Sequence, residues 1–414
     1  MKSTGILRFA KGVVATAMLQ LFTTGAVHAA ETIKIMLTDP LSGPQASTME
    51  RAQKNLEYLI KQDNAAGGIL GKKVELVTCD NKFNPKDGKN CLDRAIDGDI
   101  HFVLQGVGSN VTTTLIDAVD KYNARNPGKE VILIDWAGQP EELTNEACSF
   151  WHFRTDPHVG MKMRAMAQWL AQDKSIKRAY LINMDYSLGQ SAQAATLKYL
   201  KQYRPDLEIA GKEFHPPNRV QDFTPYVTKM LAAHPDVVIT ANIGTDLSRL
   251  IRAGNDVGLN TKWMTLYGSQ FGQVTQIGAK GVGRVYQVTD SIMSMNDPAM
   301  DKMVDTVKAA GFGDFENLRM YRAYELLASS LKRAGTVKPV DVAKAMETGS
   351  IQLGGYVATM RATDHQVQAP LYVSLLSTDA KYKQEDTPWG FKLLGSFTAA
   401  QTTEETSCRM KRPG

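Results

Sequence analysis

The chain has 414 residues, a formal charge of +5, 43% hydrophobic and 22% charged residues, and four cysteines. That balance excludes a polyanion-binding surface built on bulk charge and gives no sign of a low-complexity or disordered chain. The length exceeds what one hydrophobic core ordinarily serves, so two domains of ordinary size are expected.

Residues 1–30 read as a secretory signal. Lys2, Arg8 and Lys11 make a basic start, "VVATAMLQLF" an apolar run, and "AVHAA" a small-residue end. Removing this stretch, which holds three basic residues and no acidic one, lowers the formal charge from +5 to +2. No cysteine follows the expected cut, so nothing calls for a lipid anchor. No later run reaches the roughly 18 apolar residues of a membrane span. A soluble periplasmic product is expected, with no membrane insertion and no nucleic-acid partner.

Beyond the signal, short β-branched runs alternate with amphipathic stretches. Expected strands are "IKIML", "KVELVT", "HFVLQ", "EVILID", "RAYLINM", "LEIAGKEF", "DVVITA", "KWMTLY" and "RVYQVTD". Between them lie helical patterns such as "MERAQKNLEYLIKQDNAA", "TTTLIDAVDKYNA" and "GMKMRAMAQWLAQD". Strands separated by helices imply parallel sheets with right-handed crossovers, and two such series imply two doubly wound α/β lobes. The aromatic cluster and proline of "CSFWHFRTDPHVG" mark the boundary. After Asp290 come helices without intervening strands, then the late strands "APLYVSLLS" and "WGFKLLGSF". Those helices do not continue the second sheet, and if they cover the first the chain crosses between lobes more than once.

Four cysteines in an exported protein read as two disulfides. Pairing Cys79 with Cys91 closes the loop "CDNKFNPKDGKNC", and pairing Cys148 with Cys408 pins the C-terminal tail to the middle of the chain. Three connectivities are open, and sequence does not choose among them. Zinc is the alternative for these thiols, but no Cys-x-x-Cys or His-x-x-x-His spacing occurs, and no metal or cofactor is expected.

In open parallel sheets, ligands bind beyond the carboxyl ends of the strands. The loops there, among them "DPLSGPQASTM", "QGVGSNVTTT", "DWAGQPEEL", "NMDYSLGQS" and "LYGSQFGQV", carry small polar residues and a few aromatics. None contains a G-x-S-x-G elbow, a phosphate loop or a His-Glu-x-x-His helix, and no enzymatic activity is expected. Gly106 and Gly108 begin a G-x-G pattern, but Val111 occupies the third glycine position of a dinucleotide fingerprint. What remains is a helix start with free N–H groups, which suits a carboxylate. An ordinary helix cap explains Ser109 and Asn110 equally well.

Taken together, "IKIMLTDPLSGP", "NAAGGILGKKVELVTCDNKFNPKDG", "DWAGQPEELT", "DYSLGQS" and "AGNDVGLNTKW" resemble the periplasmic solute-binding proteins of branched-chain amino acid ABC transporters, the Leu/Ile/Val-binding type. The likeness runs over nearly all of the chain after the signal and lies in the order and spacing of these stretches. It implies a type I periplasmic-binding fold, two doubly wound lobes joined by a three-crossing hinge. It also implies delivery of a small solute to a membrane ABC permease, with a monomer expected.

The resemblance places the ligand carboxylate at Ser109 or Asn110 and at the companion loop Ala137, Gly138 and Gln139. Tyr186, with Asp185 before it, matches the family's second-lobe tyrosine, and Thr48 stands where an aromatic residue is common. The acid that pairs with a ligand ammonium is replaced by Tyr267. Either Asp185, Asp246 or Asp290 supplies that charge, or the ligand is not an α-amino acid. In the second case Tyr186, Tyr267, Trp136 and Phe271 are available to stack on a flat apolar body, and the ligand is an aromatic or other organic acid. Arg154 is the nearest candidate for a cationic partner of the ligand, and it could equally salt-bridge across the lobes.

The expected organisation is a signal over 1–30, a first lobe of 31–153 plus about 288–368, a second lobe of 154–287 plus about 369–398, and a tail, 399–414, held by a disulfide. A ligand-sensing receptor domain of the same fold and an exported hydrolase are the other readings. A branched-chain or other amino acid is the alternative ligand.

Overall fold

The structure, a computed structural model, describes residue 1, residues 32–312 and residues 318–413. The expected secretory signal lies outside the described residues apart from Met1. Five strands form first, each returning through a helix: β1 (Ile33–Asp39), β2 (Val74–Asp80), β3 (Phe102–Gln105), β4 (Ile132–Asp135) and β5 (His152–Arg154). All pair in parallel, in the order β2-β1-β3-β4-β5. Every residue of "FVLQ" and "ILID" is buried, as central parallel strands covered on both faces must be.

The chain then leaves for a second sheet. Strands β6 (Arg178–Met184), β7 (Glu208–His215), β8 (Val237–Ile239), β9 (Lys262–Thr265) and β10 (Val285–Thr289) are parallel in the order β7-β6-β8-β9-β10. After Asp290 the chain returns. Helices Pro298–Ala309, Leu318–Ala334 and Pro339–Glu347 lead to β11 (Ser350–Leu353), β12 (Tyr356–Arg361) and β13 (Gln366–Gln368), and β13 pairs parallel to β5 in the first sheet. A third crossing at Ala369–Pro370 delivers β14 (Leu371–Ser377) and β15 (Gly390–Phe397), which extend the second sheet antiparallel from β10. Among the described residues, the result is two mostly parallel sheets, of eight and seven strands, joined by three crossings.

The strands β5 and β11–β13 were not legible as strands. β5 is three residues inside the aromatic cluster read as a boundary. The other three are short, and the first two pair antiparallel within a small meander. Phe150 and Phe153 are buried there, Phe153 stacked on His365 with ring centroids 3.9 Å apart.

Both disulfides are present as paired above, Cys79–Cys91 and Cys148–Cys408, each with a Cα separation of 5.7 Å. The second anchors a strap. After β15 a short helix, Ala399–Thr402, begins with a capping box of Thr398 and Gln401 and lies on the second lobe. There Arg164 donates to the Thr403 carbonyl at 2.6 Å, and Lys198 pairs with Glu404 at 3.0 Å. A few residues later the tail is on the first lobe: Arg361 donates to the Glu404 carbonyl at 2.7 Å, Thr406 to the Thr144 carbonyl at 3.2 Å, and Cys408 is bonded to Cys148. The tail thus runs from one lobe to the other, close to the hinge strands.

Closing a loop of 260 residues removes much freedom from the unfolded chain. Cys408→Ser is expected to lower stability by about 2–5 kcal/mol in urea unfolding of the oxidised protein. An unchanged midpoint would mean that hydrogen bonds alone hold the tail.

Candidate functional site

The loops at the carboxyl ends of the parallel strands of both sheets face one another around a small cavity. The first lobe contributes Gln45 from the turn after β1, Gly106 to Ser109 after β3, and Trp136 and Ala137 after β4. The second contributes Tyr186 and Leu188 after β6, Ile243 after β8, and Tyr267 and Gln270 after β9. Arg319, from helix Leu318–Ala334, completes the wall. The lobes touch at its rim: Gln45 donates to Asn218 Oδ1 at 3.3 Å, Phe83 and Tyr186 have ring centroids 5.7 Å apart, and Arg51 lies 4.4 Å from the Phe271 ring.

Asp39, at the end of β1 and fully buried, shapes the first-lobe wall. Its Oδ1 accepts from the backbone N–H groups of Gly106 and Val107 at 3.1 and 2.7 Å, and its Oδ2 accepts from the Trp136 indole at 2.8 Å. The indole lies flat against Gly106, where an added Cβ would come within 2.6 Å of the ring, so only glycine lets the backbone pass. Asp135 does the same for the next loop: its Oδ1 accepts from the N–H groups of Ala137 and Gly138 at 3.1 and 2.5 Å. The helix that follows β3 starts at Ser109 after Gly108, with no side chain capping its first N–H groups. Ser109 is buried at the cavity, and Asn110 Oδ1 beside it accepts no hydrogen bond.

Behind Tyr267 lies a buried ionic network. Asp156, just after β5, pairs with Lys162 at 2.8 Å, with Arg319 at 3.3 Å and with Arg322 at 3.8 Å. Arg322 also pairs with Asp290, just after β10. Gln139 fits among them, donating to Asp156 at 2.5 Å and to the Ala137 carbonyl at 2.9 Å, and accepting from Lys162 at 3.0 Å. All of these residues are buried. Burial pulls the Lys162 ammonium below its ordinary range, against the attraction of Asp156. Burial also opposes the Arg319 charge, but Asp156 and Asp290 outweigh it and raise the Arg319 pKa. The Arg319 guanidinium stands 5.5 Å and Lys162 Nζ 6.0 Å from the Tyr267 ring centroid, close enough for cation–π attraction.

Of the residues predicted from sequence, Ser109, Ala137, Trp136, Tyr186 and Tyr267 line the cavity together. Asn110, Gly138, Gln139, Asp185 and Thr48 are not part of its wall. The Gln139 amide is spent inside the ionic network, Asp185 is exposed and accepts from Gln190, and Thr48 is buried in helix Ala46–Ala65. Asp290 is held by Arg322. Arg154 is also withdrawn: it donates to Gln366 at 2.6 Å, to the Pro140 carbonyl at 2.5 Å and to Thr144, all within the first lobe.

Arg319 and Lys162 were missed. Their signal was present as charges on buried helix faces, Arg319 and Arg322 among Leu318, Met320 and Ala323, and Lys162 between two methionines.

Among the described residues, Glu141, His158 and Glu404 bring donor atoms within 4.8 Å of one another. They sit where the strap crosses, away from the cavity wall. His158 Nδ1 accepts the Met161 N–H, which puts the ring proton on Nε2, facing Glu404 at 3.4 Å, a tautomer that does not suit a metal ligand.

Comparison with known proteins places this architecture. The periplasmic binding protein family profile matches residues 32–381. The chain belongs to that family. Periplasmic binding proteins are substrate-binding components of ABC transporters rather than enzymes, and they act outside the cytoplasm with a membrane permease as partner. The chain is 33% identical to Leu/Ile/Val-binding protein homolog 4 of Brucella melitensis, over 98% of this chain and 99% of that one. The closed crystal structure of a leucine-, isoleucine-, valine-, threonine- and alanine-binding protein from Brucella ovis superposes with a TM-score of 0.84 at 32% identity, covering 93% of this chain and all of that one. A solute-binding protein of an R. palustris ABC transporter, solved with benzoate, shares the fold at 17% identity, with a TM-score of 0.77 over 92% of this chain and 100% of that one. No helix among the described residues is long and apolar enough to cross a membrane.

Burial raises the Asp39 carboxyl to about 7, against the hydrogen bonds from Val107, Trp136 and Gly106 that lower it. Folding therefore takes up a proton between about pH 4 and about 7, so this contribution to stability is full in acid and is lost as pH rises through about 7. Asp39→Asn removes that slope. The difference in melting temperature between about pH 5 and about pH 8 should be smaller than in the unsubstituted protein. An equal difference would show that Asp39 titrates as an ordinary carboxyl.

Proposed function

We propose that this protein captures a small carboxylate-bearing solute, an aromatic or other organic acid, in the periplasm and delivers it as a monomer to its ABC permease. One observation carries the reading: among the described residues, the cavity wall holds one cation, Arg319, and no acid. An α-amino acid would bury its ammonium there without a counter-charge and beside a guanidinium, at a cost of several kcal/mol. A carboxylate has the uncapped helix start at Ser109 for its oxygens. A flat ring has Tyr186, Tyr267 and Trp136 for its faces. The benzoate complex of a distant relative supports the same ligand class.

A second reading keeps the amino acid of the relatives' names. Asp246 is fully buried, its Oδ1 accepts no hydrogen bond, and its charge helps to raise the Tyr186 pKa, after burial and Tyr267. It is the acid that could meet an ammonium at the second-lobe side.

Melting curves of ligand-stripped protein separate the two. A ligand at about 100 times its dissociation constant stabilises by roughly 2.7 kcal/mol. Aromatic and other organic acids should raise the melting temperature, while leucine, isoleucine and valine should not. A shift with the amino acids alone would overturn the first reading in favour of the second. Tyr267→Ala should weaken an aromatic acid by roughly tenfold or more, measured by calorimetry, and unchanged affinity would remove the stacking role.

A further inference from the structure

Two consecutive residues of the strap, Thr403 and Glu404, are each held by both lobes. From the second lobe, Arg164 of helix Val159–Leu170 donates to the Thr403 carbonyl at 2.6 Å, and Lys198 of helix Ser187–Tyr203 pairs with the Glu404 carboxylate at 3.0 Å. From the first lobe, Arg361 of β12 donates to Thr403 Oγ1 at 3.3 Å and to the Glu404 carbonyl at 2.7 Å, while Thr403 Oγ1 donates to Gln368 Oε1 of β13 at 2.6 Å. His158, at the first crossing, faces the Glu404 carboxylate at 3.4 Å, and the Glu404 side chain is 9% exposed, so its charge is poorly screened by water. Glu141 of the first lobe stands beside that carboxylate, and burial together with Glu404 raises the Glu141 pKa, which eases their repulsion.

On either side of this point the strap belongs to one lobe. Before it, helix Ala399–Thr402 lies on the second lobe, where Gln168 donates to the Gln401 carbonyl at 3.1 Å. After it, Thr406 donates to the Thr144 carbonyl, the Ser407 N–H to Asn145 Oδ1 at 3.2 Å and Arg412 to the Ala362 carbonyl at 2.7 Å, and Cys408 is bonded to Cys148, all on the first lobe.

The lobes touch at the cavity rim, Gln45 on Asn218 and Arg51 on Phe271, so their arrangement in this structure is a closed one. A rotation that parts the rims moves Arg164 and Lys198 relative to Arg361 and Gln368. Thr403 and Glu404 cannot follow both sets, and one set is lost on opening. The disulfide keeps the strap beside both: a tethered segment remakes its contacts at high effective concentration, whereas an untethered tail held by a few polar contacts comes away.

We propose that the strap is a brace across the hinge. Secured by Cys148–Cys408, it favours the closed arrangement through Thr403 and Glu404 and raises the closed fraction before any solute binds. A solute that binds the closed form gains apparent affinity in proportion to that fraction. The brace depends on the two-lobe architecture and not on which solute is bound.

Pulsed electron paramagnetic resonance reads the closed fraction without a solute. Spin labels are placed on Lys86→Cys and Gln221→Cys, exposed positions on opposite lobes, and the labelled protein is stripped of solute by unfolding and refolding without reductant. The closed arrangement gives the short distance and open ones give longer distances. Replacing both Cys148 and Cys408 with serine should cut the short-distance population by about threefold or more. Thr403→Val combined with Glu404→Gln leaves the disulfide in place and should shift the population the same way by at least about twofold. That variant decides the matter if the first does not fold. Arg412→Met removes contacts to the first lobe alone and should leave the populations as they are. Unchanged populations in the strap variants, or no short-distance population in the unsubstituted strap, would overturn the proposal. An equal shift in Arg412→Met would also overturn it, because general loosening of the tail would then account for the effect without a grip on both lobes.

Discussion

The Asp156 carboxylate is the point on which the hinge and the ligand cavity both depend. It lies at the first crossing between lobes and gathers Lys162 from a second-lobe helix, Arg319 and Arg322 from a first-lobe helix, and Gln139 from the loop after β4. Arg322 carries the connection on to Asp290 at the second crossing. Charges buried in this way bring little net stability, because desolvation offsets most of their attraction, but removing one partner leaves the rest uncompensated. Such an arrangement fixes geometry. The cavity wall and the two crossings are set by the same five charges, so whatever touches Arg319 also touches the hinge.

The two sheets were legible because parallel strands are buried on both faces and stand out as β-branched runs between helical patterns. Central strands such as "FVLQ" and "ILID" are the plainest cases. The return of Leu318–Ala334 to the first lobe was foreshadowed by helices with no strand between them. What sequence could not supply was the direction of individual side chains. Gln139 aligns with a ligand-binding position, yet its amide is used by Asp156 and Lys162. Arg154 looked available and is satisfied by Gln366, Pro140 and Thr144. Arg319 contributes from a helix that follows the second crossing, and only the folded chain brings it to loops some two hundred residues earlier.

Membership of the periplasmic binding protein family accounts for the lobes, the hinge and the cavity between strand ends. It does not account for the charge of the cavity. Where the Leu/Ile/Val-binding type is expected to hold an acid, this chain has Tyr267, and two cations lie near its ring. The tyrosine, the arginine and the lysine behind it set the local potential together.

The strap has a consequence for how the molecule is made. A chain emerges N-terminus first, and Cys79 meets Cys91 only 12 residues later, so that bond can close early. Cys148 must wait for Cys408, 260 residues further on. Until then it is a thiol in an oxidising compartment with two earlier cysteines as possible wrong partners. Correct assembly is favoured if the small loop oxidises before Cys148 arrives. The order in which cysteines leave the translocation channel is thus part of the information that sets the final connectivity.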